Sequence, residues 1–205
     1  MSLTSFKKLQ NALPQAGFTV IELMVTITIV VLVTGIVLIQ YSSFNSSVLL
    51  TSQAYQTAFD LRETQSLAIS AKGKNNTFRE EYGLYFNTTA PHQYILFQDN
   101  DDLVPAQYDS NEAIGAPTIV DPRFQVSRVC VSTGAIETCG GGSTDVDSLA
   151  ISFERPDFDA AFYSTGPNVS NIQTALIYIT SISDASASKI VRVSTSGQIS
   201  VGNTP

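Results

Sequence analysis

The sequence predicts an α+β fold: a long amino-terminal α-helix, membrane-spanning in its first half and amphipathic in its second, packed on an antiparallel β-sheet head. Three observations predict it. Phe18 to Ile39 is an apolar run of 22 residues with no basic side chain and one acid, Glu22. A helical repeat follows that run without a break. The rest of the chain is a series of short apolar segments separated by turn residues, with no second long helical pattern. One helix and then only strands fits α+β better than alternating α/β.

The first element follows from length. A helix of 22 residues spans roughly 33 Å, enough to cross a bilayer. Lys7 and Lys8, with no acid before Gly17, place the start of the chain in the cytoplasm and the carboxy-terminal bulk outside. A carboxylate within the bilayer costs on the order of 3 kcal/mol, so Glu22 needs either a partner or a place close to the interface. The small pair Ala16-Gly17 comes before the apolar run, so cutting there removes the polar leader MSLTSFKKLQNALPQAG and keeps the hydrophobic helix. Secretory processing runs in the opposite order.

The residues G-F-T-V-I-E-L and the long apolar helix behind them resemble the class III signal of type IV pilins and pseudopilins, over Gly17 to about Ile39. The resemblance implies a prepilin peptidase that cuts after Gly17 and methylates the new amino terminus at Phe18. It also implies that Glu22 pairs with the terminal amine of a neighbouring subunit in a filament. The cut would create a cation in the same low-dielectric layer as the acid, and the two would neutralise each other. The expected organisation is a cleaved leader over 1–17, a membrane and filament-core helix over 18–41, its amphipathic continuation over 42–71, and an extracytoplasmic head over 72–205. Many members of the family carry a proline in this helix. None occurs between Gly17 and Ser70 here, so Gly35 beside Thr34 is the one weak point, costing about 1 kcal/mol relative to alanine.

The amphipathic half is read from Leu50, Ala54, Ala58, Leu61, Gln65 and Ala68, which recur at helical spacing with Asp60, Arg62 and Glu63 largely off that stripe. Lys72 and Gly73 supply a cationic last turn and a stop. Strands are expected at Tyr82–Asn87, Gln93–Gln98, Phe124–Val131, Ile136–Cys139, Leu149–Glu154, Thr174–Ile182, Lys189–Ser194 and Gln198–Val201. The last three form two hairpins closed by Ser/Ala-rich and Ser-Gly turns. FDLRETQSLAIS followed by a strand, and the closing strand, Gly turn and short strand, resemble GspH/FimT-type minor pseudopilins.

Cys130 and Cys139 bracket VSTGAIET. If Gly134-Ala135 is a two-residue turn with glycine first, Thr133 faces Ile136 and the two cysteines face each other at a non-hydrogen-bonded pair. Their Cα atoms would then lie about 4.5 Å apart, within disulfide range. Outside the cytoplasm a bridge is expected there, with two buried free thiols as the alternative. DNDDLVPAQYDSNE gathers Asp99, Asp101, Asp102, Asp109 and Glu112. Its Asp99-x-Asp101 is a calcium candidate, but the glycine and terminal acid of an EF-hand are missing, and a solvated surface loop is the better reading.

Composition narrows the function. The chain holds 11 basic against 18 acidic residues, a net −7, and the part after the leader lysines carries −9. With no Trp, one His and two Cys there is little material for a metal or catalytic cluster. His92, after Pro91 in a turn, supports no triad. No enzyme activity and no cofactor are expected.

The function implied is a structural subunit of a type IV pilus or type II secretion-like filament, more often a minor than a major one. Its implied partners are other pilin subunits, prepilin peptidase, a motor ATPase and an inner-membrane assembly platform. The competing reading is a DNA-binding minor pilin of an uptake pilus. Its carboxy-terminal basic residues would be Lys189 and Arg192 alone, against a chain that repels phosphate.

Overall fold

A computed structural model of the chain describes residues 17–70, 81–100, 106–134, 136–140, 146–154, 158–166, 169 and 171–203, with the side chains of 39–45 set aside. The helix α1 runs Val20–Ser70, 51 residues. Lys72 and Gly73, the expected stop, lie outside the described residues. The chain divides into two compact units, the first ending at Phe44 and the second beginning at Asn45.

In the first unit every described side chain from Gly17 to Leu38 is exposed. Val20–Leu38 is long and apolar enough to cross a membrane. The hydroxyls within it are satisfied by their own helix: Thr26 donates to the Leu23 carbonyl at 2.9 Å and Thr28 to that of Met24 at 2.8 Å. Back-bonding of this kind lets threonine sit among apolar residues without an unpaired donor.

Among the described residues the second unit holds ten strands in two antiparallel sheets. These are β1 (Glu81–Asn87), β2 (Gln93–Asp99), β3 (Thr118–Ile119), β4 (Phe124–Ser132), β5 (Glu137–Cys139), β6 (Ser148–Phe153), β7 (Ala160–Thr165), β8 (Thr174–Ser181), β9 (Ser188–Ser194) and β10 (Ile199–Asn203). One sheet has the order β3-β2-β1-β6-β7 and the other β10-β9-β8-β4-β5. The antiparallel head is as the sequence predicts, and β3 and β7 are strands that the sequence reading does not include. β7 reads AAFYST, an edge strand whose β-forming residues are Phe162, Tyr163 and Thr165, and β3 is two residues long.

Both sheets contribute to one core: Leu84, Phe86, Leu149, Ile151 and Phe153 from the first, Val129, Val131, Ile177, Ile179, Val191 and Val193 from the second. The α1 stripe Leu50, Ala54, Ala58, Leu61 and Ala68 joins the same core. Three of these five positions are alanine, and all five are buried. Thr57 and Thr64 are also buried there, their hydroxyls returned to the carbonyls of Gln53 and Asp60. β6 is buried at all six positions, which places it at the centre of the packing.

β4 departs from strict alternation. Its pairing to β8 shifts between Val126 and Arg128, so Ser127 is the extra residue of a bulge. The shift turns Val126, Val129 and Val131 all to the core, although the first pair differ by an odd number of positions. It also puts Arg128 and Cys130 on the opposite face, where Cys130, Leu176, Tyr178 and Ile190 make a second small apolar cluster.

Candidate functional site

Glycine, phenylalanine and threonine at 17–19 precede the helix and are exposed. Thr19 begins it: its carbonyl accepts the Leu23 amide at 3.1 Å and its hydroxyl accepts the Glu22 amide at 3.3 Å. Thr19-Val20-Ile21-Glu22 therefore has the spacing of a capping box, with Glu22 in the first turn, where unpaired amides and the helix dipole favour an anion. The sequence reading gave Glu22 an assembly role and did not use Thr19, although the T-x-x-E spacing was available to find it.

Gly17, Phe18 and Glu22 thus lie within one short stretch, a glycine followed by the first residue of the helix lead-in and an acid in the first turn. A Cβ built on Gly17 meets nothing within 4 Å, so packing in this chain does not require glycine there. Phe18 is 75 % exposed. The arrangement offers an accessible peptide bond ahead of a helix. Hydrolysis of that bond would put a new amine on Phe18, close in sequence to the Glu22 carboxylate.

The cysteines form a bridge. Cys130 pairs with Cys139 across β4 and β5, with Cα atoms 4.0 Å apart. Thr133 donates its amide to the Ile136 carbonyl at 3.1 Å, and Gly134 has φ 92°, a conformation that the first position of this turn requires and glycine supplies freely. Beside the bridge, Tyr178 donates to the Glu137 carboxylate at 2.9 Å, and the Arg128 guanidinium lies 4.0 Å over the Tyr178 ring. Burial, and then the Glu137 contact, raise the Tyr178 pKa.

The acidic loop is not simply solvated. Glu112 is buried, and its two carboxylate oxygens accept the amides of Asn100 and Asp109, each at 2.9 Å. Asp99 is buried at the end of β2. Asp101 and Asp102 lie outside the described residues, and the calcium candidate Asp99-x-Asp101 with them. A nearby acid, Glu81, accepts the Ser152 hydroxyl at 2.8 Å and the Ala106 amide at 3.2 Å, with Ala106 held at φ 64°. These acids hold loop backbone.

His92 and Lys189 have side-chain partners. His92 Nδ1 lies 3.1 Å from the Phe124 carbonyl, and the His92 carbonyl accepts the Val120 amide at 2.8 Å. Lys189 donates to the Asn203 side chain at 2.5 Å, and Arg192 is exposed on β9.

A family model described as the prokaryotic N-terminal methylation motif matches residues 13–38. Comparison with curated proteins gave no match, and neither did comparison with solved structures.

Proposed function

We propose that this chain, whose amino-terminal segment is that of the type IV pilin and pseudopilin family, is a structural subunit of a type IV pilus or type II secretion-like filament. The observation that carries the reading is the methylation motif over residues 13–38. The exposed, capped helix start and the apolar span behind it support it. In this reading prepilin peptidase cuts after Gly17 and methylates Phe18. The chain stays anchored through Val20–Leu38 with its head extracytoplasmic, and an assembly platform then draws it into the filament.

The chemistry of assembly follows from charge. In the membrane the Glu22 carboxylate and the Phe18 amine are each costly alone, and pairing them between neighbouring subunits removes both unpaired charges. Contacts among apolar helices add cohesion without direction, while the acid-amine pair sets the stagger of subunits. A minor subunit, starting or capping a filament, is the finer form of the proposal and rests on the likeness of the head sequence to GspH/FimT-type proteins.

The deciding experiment is the intact mass and amino-terminal sequence of the protein purified from its own membranes. A chain beginning at N-methylated Phe18 is expected. A chain retaining Met1 or Ser2 would be an uncut signal-anchor, and the filament reading would fall.

A further inference from the structure

Among the described residues one trio of metal-ligating side chains comes together: Cys130, Glu137 and Cys139, with a ligand atom of each within 4.8 Å of the others. Strand register puts them there. Cys130 faces Cys139 across β4 and β5, and Glu137, two positions before Cys139, projects from the same face of β5. One Glu137 oxygen lies 3.3 Å from the Cys139 sulfur. The fold therefore adds a third donor to a cysteine pair that has no soft partner nearby in the sequence.

The surroundings suit a cation once the bridge is open. With zinc–sulfur bonds of about 2.3 Å and a zinc–oxygen bond of about 2.0 Å, the ligand atoms of a tetrahedral site stand about 3.5 to 3.8 Å apart. The carboxylate is already close to that spacing from Cys139, and the two sulfurs need only part. β4 keeps its place meanwhile through its pairing with β8 from Phe124 to Ser132. The Tyr178 hydroxyl donates to the same Glu137 oxygen at 2.9 Å, the kind of outer contact that orients a metal ligand. Two thiolates and a carboxylate exceed the charge of a divalent ion by one, and the Arg128 guanidinium, 4.0 Å over the Tyr178 ring, supplies one positive charge beside them. Leu176 and Ile190 cover the Cys130 side with apolar surface, while exposed Glu137 leaves the other side open to water as a fourth ligand.

We propose that Cys130, Cys139 and Glu137 bind one zinc ion when the Cys130–Cys139 bridge is reduced, so that the β4–β5 hairpin has two alternative closures, a disulfide and a metal. Thiolate donors set aside calcium and magnesium, and the carboxylate favours zinc over monovalent copper. The chemistry balances. A dithiol gives two electrons and two protons to the bridge and closes to its own disulfide, and Zn2+ then takes the place of both thiol protons. The site uses the second unit alone and goes beyond the filament reading without resting on it.

The test uses the full chain in detergent, reduced under inert gas by a phosphine, which ends as its oxide and offers no thiolate of its own. Cobalt(II) stands in for zinc because its thiolate complexes absorb light. One cobalt per reduced chain is expected, with the sulfur-to-cobalt band of a two-thiolate site, and zinc should displace it. The oxidised chain should give no band. Glu137→Gln keeps an oxygen for Tyr178 but loses the anionic ligand, and should weaken zinc binding by about tenfold or more. Cys130→Ser should abolish the band. Zinc should also raise the denaturant midpoint of the reduced chain and leave that of the oxidised chain unmoved, because only the folded, reduced hairpin gathers the three ligands.

Absence of the band at one equivalent of cobalt, an unchanged zinc affinity in Glu137→Gln, or an equal midpoint shift in the oxidised and reduced chains would each overturn the site. Tyr178→Phe leaves all three ligands in place and separates loss of a ligand from loss of the local fold. It should keep the band and weaken zinc less than Glu137→Gln does, and the reverse order would equally overturn the assignment of Glu137.

Discussion

The Tyr94 hydroxyl donates to the Asp60 carboxylate, joining β2 to α1 at the edge of the helix's buried face. Gln56, one turn earlier on the helix, donates to the other carboxylate oxygen at 2.8 Å, so Asp60 is held from both elements. Tyr94 itself is almost wholly buried. Further polar contacts fix the same helix: Gln65 donates to the carbonyls of Phe158 and Gly197 at 3.0 and 3.2 Å. The apolar stripe supplies the cohesion of the helix on the sheets, and these bonds set where along the helix it docks.

Tyr94→Phe should therefore lower stability by about 1 to 3 kcal/mol, because the change removes a charge-assisted bond and leaves a half-buried carboxylate oxygen without its donor. Denaturant unfolding of the detergent-solubilised chain measures it. The alkaline limb carries a second signature. Burial first, and then the bond to Asp60, raise the Tyr94 pKa far above its usual 10.0. A phenol whose pKa is raised in the fold contributes stability that is complete below the unfolded value and declines as pH rises past it, since the unfolded chain then releases the proton more readily. Stability should fall above about pH 10 in the parent, and that fall should be shallower in Tyr94→Phe. An identical alkaline profile in the two proteins would contradict the linkage.

The Cys130–Cys139 bridge closes a short hairpin, and the loop entropy it removes from the unfolded chain is worth about 2 to 3 kcal/mol. Cys130→Ala with Cys139→Ala, or reduction by a dithiol, should lower the unfolding free energy by that amount without undoing the second sheet. β4 keeps its long pairing with β8 from Phe124 to Ser132. A circular dichroism spectrum unchanged at low temperature, with an earlier denaturant midpoint, is the expected result.

Glu112→Ala should release the loop that the carboxylate holds. Two backbone amides lose their acceptor, at Asn100 and Asp109. Hydrogen exchange at those two amides should quicken by on the order of tenfold or more, with about 1 to 3 kcal/mol of stability lost. Amides in the centre of β8 serve as the reference and should keep their protection.

The parts legible in the sequence are those with a local signal. The stripe Leu50, Ala54, Ala58, Leu61 and Ala68 could be read because burial of a helix face follows the 3.6-residue period. The register of the cysteine hairpin could be read because Gly134 marks the turn and strand alternation does the rest. What stayed hidden depends on tertiary context. β7 has Phe162, Tyr163 and Thr165 as its strand signal, too short a run to stand out beside Ala160 and Ala161, and its pairing along β6 completes it. The bulge at Ser127 reverses the phase of β4 without any glycine to announce it. Glu112 sits in a polar run that reads as solvated, and only the fold shows that its oxygens are used by neighbouring amides.

Glu22 has a local role at the start of α1 and a proposed one in assembly, and substitution separates them. As the third helical residue behind Thr19 it is an acid at the positive end of the dipole, a local effect of about 1 kcal/mol or less. In the proposed pairing with a neighbour's Phe18 amine it would neutralise a charge inside the membrane, a far larger effect. Glu22→Gln keeps a polar side chain at the helix start and removes the charge; Thr19→Val removes the hydroxyl that accepts the Glu22 amide and keeps the charge. If pairing governs assembly, Glu22→Gln should be cut after Gly17 and methylated normally yet give at least tenfold fewer filaments, while Thr19→Val should assemble with a modest loss. If helix capping governs it, the order reverses. Filament counts by electron microscopy, with the amino terminus sequenced in each variant, decide between the two.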